Sequence, residues 1–315
     1  MRIGDMIAGR EAYGSVLVEL GMENQRIVAI DADLSESTHS DRFGQRFPDR
    51  FFNMGMAEQG MFAAAAGMAT CGKIVFASTF AVFASMRACE QVRTSIAYPN
   101  LNVKIVASHG GITVGENGVT HQATEDIAIM RSIANMVVLV PADAVATVKL
   151  VREAANHNGP VYIRLARPKV PVLYDQSAEF RIGGCNLLRE GNHVALVATG
   201  YTVANALHAA DLLQSEGIYA TVIDVYSIKP INREILMDVA REVKVVISIE
   251  DHTIVGGLGS AIAEIFAEEG IGVRLYRMGL PDIFGESGKA EDLIAKYGLT
   301  PEAIMAKAKE AVIGG

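Results

Sequence analysis

Short runs of β-branched and other apolar residues alternate with helix-length segments along most of the chain. The apolar runs are continuous, which is typical of parallel strands covered on both faces of a sheet. The predicted strands are 27–30, 74–77, 103–108, 137–140, 161–165, 194–198, 220–224, 243–249 and 273–277. The segments between them predict helices at 10–20, 59–69, 86–95, 142–156, 203–214, 231–242 and 260–269. This alternation predicts an α/β fold with mainly parallel sheets.

One segment, 167–184, interrupts this rhythm. It contains two prolines, a polar turn sequence and two adjacent glycines, a composition that is typical of a linker. We therefore predict one α/β domain over residues 1–170, a linker over 171–186 and a second α/β domain over 187–315.

The composition narrows the class of protein. The chain is 50% hydrophobic and 20% charged, as expected for a globular protein with large cores. Its net charge of −8 argues against general nucleic-acid binding, although a few arginines would suffice to hold an anionic substrate. The three cysteines fit neither a zinc site nor a disulfide framework, so we expect buried thiols in a reducing compartment. With no signal-peptide pattern and no membrane-length apolar run, the sequence predicts a cytoplasmic protein that does not enter a membrane.

Residues 53–69 place a single acidic residue, Glu58, at the start of an apolar helix. Because its sequence neighbours are almost all apolar, we expect a partly desolvated carboxylate with a raised pKa, able to hold or share a proton. The alternative is a carboxylate bonded to backbone N–H groups at the helix start. Further along the chain, Phe80 and Phe83 follow a predicted strand.

Three other segments carry candidate chemistry. The glycine-rich segment 108–122 follows a strand and contains His109 and His121, and ligands of α/β sheets bind at such strand ends. Two incidentally placed loop histidines are the alternative. The acidic and hydroxyl residues of 31–37 either cap the next helix or contact a ligand. The glycines of 256–260 lack the spacing of a dinucleotide fingerprint and the lysine of a P-loop, which favours close packing of a helix on a strand.

In their order along the chain, these motifs resemble the second half of a transketolase, and the resemblance covers essentially the whole chain. It implies a pyrimidine-binding domain of the thiamine diphosphate-binding fold, followed by a transketolase C-terminal-like domain. Glu58, in Gly-Met-Ala-Glu-Gln, matches the family's catalytic Glu, which activates thiamine diphosphate. Phe80 and Phe83 match the aromatic pair around the pyrimidine ring of the cofactor. Asp33 matches an Asp that approaches the cofactor across the subunit interface.

The resemblance extends to the sugar site. His109 and His121 fall where transketolases place two histidines against the sugar, where they would assist proton transfer. The positions that match the family's phosphate-binding residues are Arg10, Ser37, His109 and Arg167. Asn117 departs from the family, which usually has an Asp contacting a hydroxyl of the acceptor sugar. Since Asn keeps a carbonyl acceptor but loses the charge, the sugar and its stereochemistry stay open.

The family's diphosphate-binding segment, Gly-Asp-Gly…Asn, is not found in this sequence. The resemblance therefore implies the smaller subunit of a split transketolase, inactive without a separate N-terminal subunit. That partner would bind the diphosphate and most of the Mg²⁺, so no metal ligand is assigned to this chain. The implied reaction transfers a two-carbon ketol unit from a ketose phosphate to an aldose or its phosphate. The implied assembly has two copies of each chain.

Three alternatives stay open. Two are other thiamine diphosphate enzymes: 1-deoxyxylulose-5-phosphate synthase, and the β subunit of a 2-oxo acid dehydrogenase E1 component. The latter would share the Glu but not the segment Gly-Glu-Asn-Gly-Val-Thr-His-Gln. The third is a non-catalytic partner subunit that kept the fold, which would be expected to lose the set of candidate site residues.

Overall fold

A computed structural model describes residues 1–313 of the chain. Its strands are β1 Met6–Ala8, β2 Ile27–Asp31, β3 Phe51–Asn53, β4 Ile74–Phe80, β5 Val103–Ser108, β6 Val137–Leu139, β7 Val161–Arg164, β8 Lys169–Pro171, β9 Asn186–Arg189, β10 Val194–Ala198, β11 Ala220–Asp224, β12 Ser227–Lys229, β13 Val245–Thr253 and β14 Arg274–Leu280. Its α-helices are α1 Gly9–Glu23, α2 Ser35–Thr38, α3 Asp41–Arg46, α4 Glu58–Thr70, α5 Asp126–Ser132, α6 Ala144–Asn156, α7 Thr202–Ser215, α8 Arg233–Glu242, α9 Leu258–Glu268, α10 Ala290–Lys296 and α11 Pro301–Ile313.

Two sheets carry the fold. The first has the order β12-β6-β7-β5-β4-β2-β3, and all its neighbours are parallel except β12 and β6. The second has the order β14-β13-β10-β11-β9, parallel except for β9 and β11. Strands β1 and β8 form a separate antiparallel pair. The predicted α/β class with mainly parallel sheets is therefore confirmed.

Helices cover both faces of the first sheet, which explains the continuous apolar character of its strands. Helices α1 and α6 bury one face, while α4 and the segment after β4 bury the other. The second of these cores continues into β10, β13 and α9, so the two sheets share apolar packing. A third core lies between β10, β11 and β13 and helices α7, α10 and α11.

The predicted division at 171–186 stays a prediction, and two segments cross it. Strand β12 lies in the predicted second domain but forms the edge of the first sheet by pairing with β6. Ile112 lies in the predicted first domain, yet its side chain is buried in the third core with residues of the second sheet. The two halves of the chain are thus interlocked near the carboxyl end of β5.

The predicted helix over 86–95 is wrong in type. Two π-helical segments, Phe83–Arg87 and Gln91–Ala97, cover this region. In the first, the hydroxyl of Ser85 donates to the carbonyl of Ala81 at 2.8 Å. A π-helical turn is wider than an α-helical one and is frequent at functional sites.

The glycines of 256–260 allow α9 to pack closely on the second sheet, in agreement with the prediction of close helix–strand packing. A Cβ built on Gly259 would lie 2.5 Å from Ser248 Oγ. The expectation of three buried thiols is wrong, because Cys71 is exposed just after α4 and Cys89 is half-buried. Within residues 1–313, no helix is long and apolar enough to cross a membrane.

Candidate active site

The side chain of Glu58 lies at the first position of α4 and is only 2% exposed. Nη1 of Arg87 donates to both of its carboxylate oxygens, at 3.0 Å to Oε1 and 2.9 Å to Oε2. The expectation that almost nothing polar surrounds this carboxylate is therefore wrong. Nor do residues 1–313 show the alternative, a helix-start carboxylate bonded to backbone N–H groups. The charge of the buried carboxylate is compensated by an ion pair instead.

The Arg87 guanidinium also stacks on an aromatic ring. Its Cζ lies 4.1 Å from the ring centroid of Phe83, the first residue of the π-helical segment that carries both side chains. Phe80, the last residue of β4, lies nearly parallel to Phe83, with ring centroids 5.8 Å apart. Sequence reasoning missed Arg87, because nothing in the local pattern indicates that its side chain reaches Glu58, 29 positions earlier.

The two candidate histidines lie against the same aromatic pair. The ring of His109 stacks on Phe80, with centroids 3.8 Å apart. The ring of His121 meets Phe83 edge-on at 5.4 Å. The structure therefore brings together Glu58, both phenylalanines and both histidines, although they come from the start of α4, the end of β4 and the loop after β5.

His109 is buried and held in a defined orientation. It follows β5 directly, in the left-handed region at φ 62°, and its Nδ1 lies 2.9 Å from Ser108 Oγ. Burial, reinforced by the charges of Arg10 and Arg167, lowers the pKa of His109 to about 3. Its imidazole is therefore neutral at physiological pH and offers one N–H donor and one acceptor nitrogen.

Two guanidinium groups converge beside His109. Arg10, at the start of α1, donates from Nη1 to the carbonyl of Ser37 at 2.8 Å. Arg167, after β7, donates from Nη1 to the carbonyl of Val114 at 2.7 Å. Burial lowers the pKa of Arg10, and the nearby charge of Arg167 lowers it further. The buried Nε of Arg10 has no hydrogen-bond partner within residues 1–313, so this cationic pair has donor capacity for an anion.

The loop between the histidines contains a short 3₁₀ segment, Ile112–Asn117, which is kinked at Gly115. Asn117 is exposed at its end, and Gly118 follows with φ 71°. His121 is half-buried, with its Nδ1 2.9 Å from Thr120 Oγ1. The loop therefore carries an exposed amide and a half-buried imidazole.

Among residues 31–37 the structure shows a structural role for Asp31, while a ligand contact by this segment stays a prediction. Asp31 is fully buried and organises the turn, because its carboxylate accepts from Leu34 N at 2.6 Å and from Ser40 Oγ at 2.9 Å. Asp33 is exposed, in the left-handed region at φ 63°, and its Oδ1 accepts from Asn53 Nδ2 at 3.3 Å. Asp33 is thus available to a neighbouring group, while Asp31 is structural.

Within residues 1–313, no group of three or more His, Cys, Asp or Glu side chains is arranged to hold a metal ion. The site is instead a carboxylate, an aromatic pair, two imidazoles and a cationic end. This set can bind a planar heteroaromatic ring against Phe83 and a polyhydroxylated anion against His109 and the arginines.

Two family descriptions match consecutive parts of the chain. The transketolase pyrimidine binding domain matches residues 5–172, and the transketolase C-terminal domain matches residues 183–304. A protein of Methanocaldococcus jannaschii, provisionally assigned as a transketolase C-terminal section, is 48% identical and shares 96% of this chain and 95% of its own. The 6-deoxy-6-sulfo-D-fructose transketolase subunit SqwH of Clostridium sp. is 42% identical, sharing 96% of this chain and 93% of its own.

Longer relatives contain the same two domains. Human transketolase is 37% identical over 96% of this chain, which spans 49% of the human protein. Among solved structures, a split gene transketolase described as an inactive β4 tetramer is 50% identical, with a TM-score of 0.91 over 98% of this chain and 99% of that one. Because both domains match in this order and two relatives share nearly its full length, the chain belongs to the transketolase family and corresponds to the pyrimidine-binding and C-terminal domains.

Proposed function

We propose that this chain is the catalytic half of a split transketolase that works with thiamine diphosphate and a separate diphosphate-binding subunit. The observation that carries the proposal is the buried Glu58 carboxylate beside the stacked pair Phe80 and Phe83. Glu58 would bond to the pyrimidine nitrogen N1′ and share its proton. Phe80 and Phe83 would hold the ring, and Asp33 would approach the cofactor from across a subunit interface.

The chemistry of these residues fits the cofactor. The guanidinium of Arg87 is a planar cation that donates to both Glu58 oxygens and stacks on Phe83. A protonated aminopyrimidine is also planar and cationic, so it would satisfy the same carboxylate and ring once Arg87 moves aside. When bound, thiamine diphosphate supplies the electron sink for cleaving and forming carbon–carbon bonds next to a carbonyl.

The sugar would lie between the histidines and the arginines. His109 is neutral and pinned by Ser108, so it can hydrogen-bond a hydroxyl and pass a proton without carrying a permanent charge. His121 would contact the same end of the sugar. Arg10 and Arg167, with Ser37, would bind the terminal phosphate through charge-assisted N–H bonds. Substrates of this chemistry are a ketose phosphate donor and an aldose or aldose phosphate acceptor.

The partner subunit would cover the mouth of this site. Around Glu58 the surface is unusually apolar: Met56 is 83% exposed, and three further large apolar side chains are exposed, namely Phe52, Met54 and Met86. Contiguous exposed apolar surface marks protein interfaces. We propose that an N-terminal transketolase subunit, carrying the diphosphate and Mg²⁺ ligands, docks here, with two copies of each chain in the assembly. The relative described as an inactive β4 tetramer suggests that this chain alone forms inactive oligomers.

The sugar pair is the least constrained part of the proposal. The descriptions of two relatives name different sugars: 6-deoxy-6-sulfo-D-fructose for SqwH, and apulose 4-phosphate for a transketolase chain of Phocaeicola vulgatus. The latter is 37% identical over 98% of both chains. We expect the exposed Asn117, in the loop between His109 and His121, to contact the part of the sugar that differs between these substrates. Both the pentose phosphate pathway and a specialised sugar catabolism are consistent with this site, and the free thiols fit a cytoplasmic location.

The experiment is reconstitution. This chain and a candidate diphosphate-domain chain are mixed with thiamine diphosphate and Mg²⁺, and ketol transfer from xylulose 5-phosphate to ribose 5-phosphate is assayed with each chain alone and together. Activity in the mixture alone supports the proposal, and Glu58→Gln should then nearly abolish turnover while the complex still forms. Wild-type rates in Glu58→Gln would remove the assignment of Glu58. Decarboxylation of a 2-oxo acid by the mixture would instead favour another thiamine diphosphate enzyme.

A further inference from the structure

The loop that carries the candidate histidines is anchored by the second sheet. We call residues 109–122 the histidine loop. Asp251, in β13, is 2% exposed, and its carboxylate faces this loop. Its Oδ1 accepts from the backbone N–H of Ile112 at 2.9 Å, and its Oδ2 accepts from the hydroxyl of Thr113 at 3.1 Å. These partners are 139 and 138 positions away in the chain, so the contact exists only because the two halves interlock.

Close packing leaves the loop no room beside this carboxylate. Gly111 has φ 79°, and a Cβ built on it would lie 2.0 Å from Asp251 Oδ2. The next side chain, Ile112, is completely buried in the third core, with Leu293 and Ile294 of α10. The backbone N–H of Ile112, its side chain and the hydroxyl of Thr113 therefore all contact the half of the chain that carries none of the candidate catalytic residues.

The far end of the histidine loop is fixed by the same half. Nε2 of Gln122 donates to the carbonyl of Glu286 at 2.9 Å. Just beyond it, the N–H of Thr253 in β13 donates to the carbonyl of Thr124 at 2.8 Å. The loop is thus bonded at both ends to segments of the second half, with His121 next to one anchor, Gln122, and His109 three residues before the other, Ile112.

A buried arginine ties the anchor strand to the first sheet. Nη2 of Arg164 donates to the carbonyls of Asp251 at 2.8 Å and Ala123 at 3.0 Å, while its Nε donates to Asp126 at 2.8 Å. Arg164 is only 4% exposed. The carbonyl of Asp251 and that of Ala123, the residue after the histidine loop, therefore share one buried donor. The position of Asp251 is therefore fixed through its backbone by Arg164 as well as through its side chain by the loop.

We propose that Asp251 is a positioning residue for the sugar site: by holding residues 112 and 113, it sets where His109, Asn117 and His121 stand. Its consequence for catalysis rests on the proposed function. Loss of this acceptor leaves the buried N–H of Ile112 without its partner and the hydroxyl of Thr113 with only the carbonyl of Gly110, at 3.3 Å, and so frees the loop to shift. Displacement of substrate-binding groups by about 1 Å is enough to cost about a hundredfold in rate.

The test is Asp251→Ala in the complex with the diphosphate-binding subunit, because alanine removes both carboxylate oxygens, whereas asparagine would keep a carbonyl acceptor for the N–H of Ile112. We expect the KM for the sugar phosphates to rise by about tenfold, with a smaller fall in kcat, because sugar contacts are misplaced. The affinity for thiamine diphosphate should stay within about twofold of wild type, since neither Glu58 nor Phe83 lies on the histidine loop. Amide hydrogen exchange at Ile112 should become faster, a direct readout of the lost bond.

The matched control is Asp224→Ala, which removes another fully buried carboxyl of the second sheet that does not touch the histidine loop. It should leave the sugar KM and exchange at Ile112 unchanged. If Asp251→Ala fails to fold, Thr113→Val removes one of the two hydrogen bonds to the Asp251 carboxylate and should raise the sugar KM less, in the same direction. Wild-type sugar KM together with wild-type exchange at Ile112 in a folded Asp251 or Thr113 variant would overturn the proposal. If the wild-type complex shows no ketol transfer, the proposed function fails, and exchange at Ile112 alone still decides whether Asp251 holds the loop.

Discussion

One guanidinium nitrogen of Arg87 lies 2.9–3.0 Å from both carboxylate oxygens of Glu58, while the same guanidinium stacks on Phe83. The buried carboxylate is therefore already paired, although the proposed function requires it to bond a cofactor ring. Arg87 is half-exposed, so it can leave without disturbing the core. The pair balances the charge of the buried carboxylate, and the proposed cofactor would have to displace Arg87 to reach it.

From this pair we predict that Arg87→Met tightens thiamine diphosphate binding by about three- to tenfold, because an internal competitor worth about 1 kcal/mol is removed. The free chain should at the same time have a lower Tm, since Glu58 becomes a buried charge without its partner. Cofactor titration of the reconstituted complex and thermal unfolding of the free chain measure the two effects. Arg93→Met, at an exposed arginine of the next π-helical segment, is the control. Weaker cofactor binding in Arg87→Met would contradict the prediction.

His109 should remain neutral across the working pH range. Burial and the charges of two arginines lower its pKa to about 3, so its ring resonances should not titrate between pH 5 and 9. Since the unfolded imidazole has a pKa of 6.5, the unfolded chain binds more protons between pH 6.5 and 3. The stability that the neutral ring contributes is therefore complete above pH 6.5 and is lost as the pH falls toward 3.

NMR of histidine-labelled protein tests this prediction, with His109→Gln used to assign the resonance. The variant should also lose less stability than wild type when the pH is lowered from 7 to 4. A midpoint for His109 between pH 6 and 7 would show that the ring is charged near neutrality, and would assign it a different part in proton transfer.

The sequence predicts the strands well where burial on both faces of the sheet requires a run of apolar residues. Each of the nine predicted strands overlaps an observed strand, because parallel strands that lie under helices on both faces are apolar along most of their length. Strands β1, β3, β8, β9 and β12, which have three or four residues each, have no such signal, since their pairing comes from tertiary neighbours. The division of 83–97 into two π-helical segments depends on the same kind of long-range packing.

The candidate site shows the same limit. Residues at strand ends and helix starts, such as Glu58 and His109, are visible in the sequence because local patterns place them there. Arg87 and Asp251 are not, because each acts through a partner far along the chain. Sequence reasoning found the candidate ligand-binding groups, and it missed the groups that pair with them or anchor their loop.

The cationic end of the site leads to a specificity prediction. Arg167→Ala should raise the KM for phosphorylated sugars by about tenfold or more, because charge-assisted bonds to the phosphate are lost. The KM for the corresponding unphosphorylated sugars should not change. Arg167→Lys keeps the positive charge but loses the planar pair of N–H donors. Its KM for phosphorylated sugars should therefore lie between those of wild type and Arg167→Ala. The test is to measure KM for phosphorylated and free sugars with each variant. An equal rise in KM for both kinds of sugar would rule out phosphate binding at Arg167.

Asp224 gives a prediction about stability that is independent of catalysis. Its carboxyl is fully buried at the end of β11, where Oδ2 accepts from the hydroxyl of Tyr174 at 2.7 Å and Oδ1 has no partner within residues 1–313. Burial raises the pKa of Asp224 to about 8, from 3.8 in its ordinary state. Between these pH values the folded chain binds one more proton than the unfolded chain, so its stability falls as the pH rises.

Asp224→Asn removes this titration, and the test is the difference in unfolding free energy between variant and wild type from pH 5 to 9. That difference should shift in favour of the variant as the pH rises and become constant above about pH 8. Use of the difference cancels other titrating groups, including Lys104, whose pKa burial lowers to about 7 and whose effect on stability has the opposite sign. A pH-independent difference would mean that Asp224 is ionised in the folded chain. Its buried charge would then have to be stabilised within the cluster formed with Tyr174.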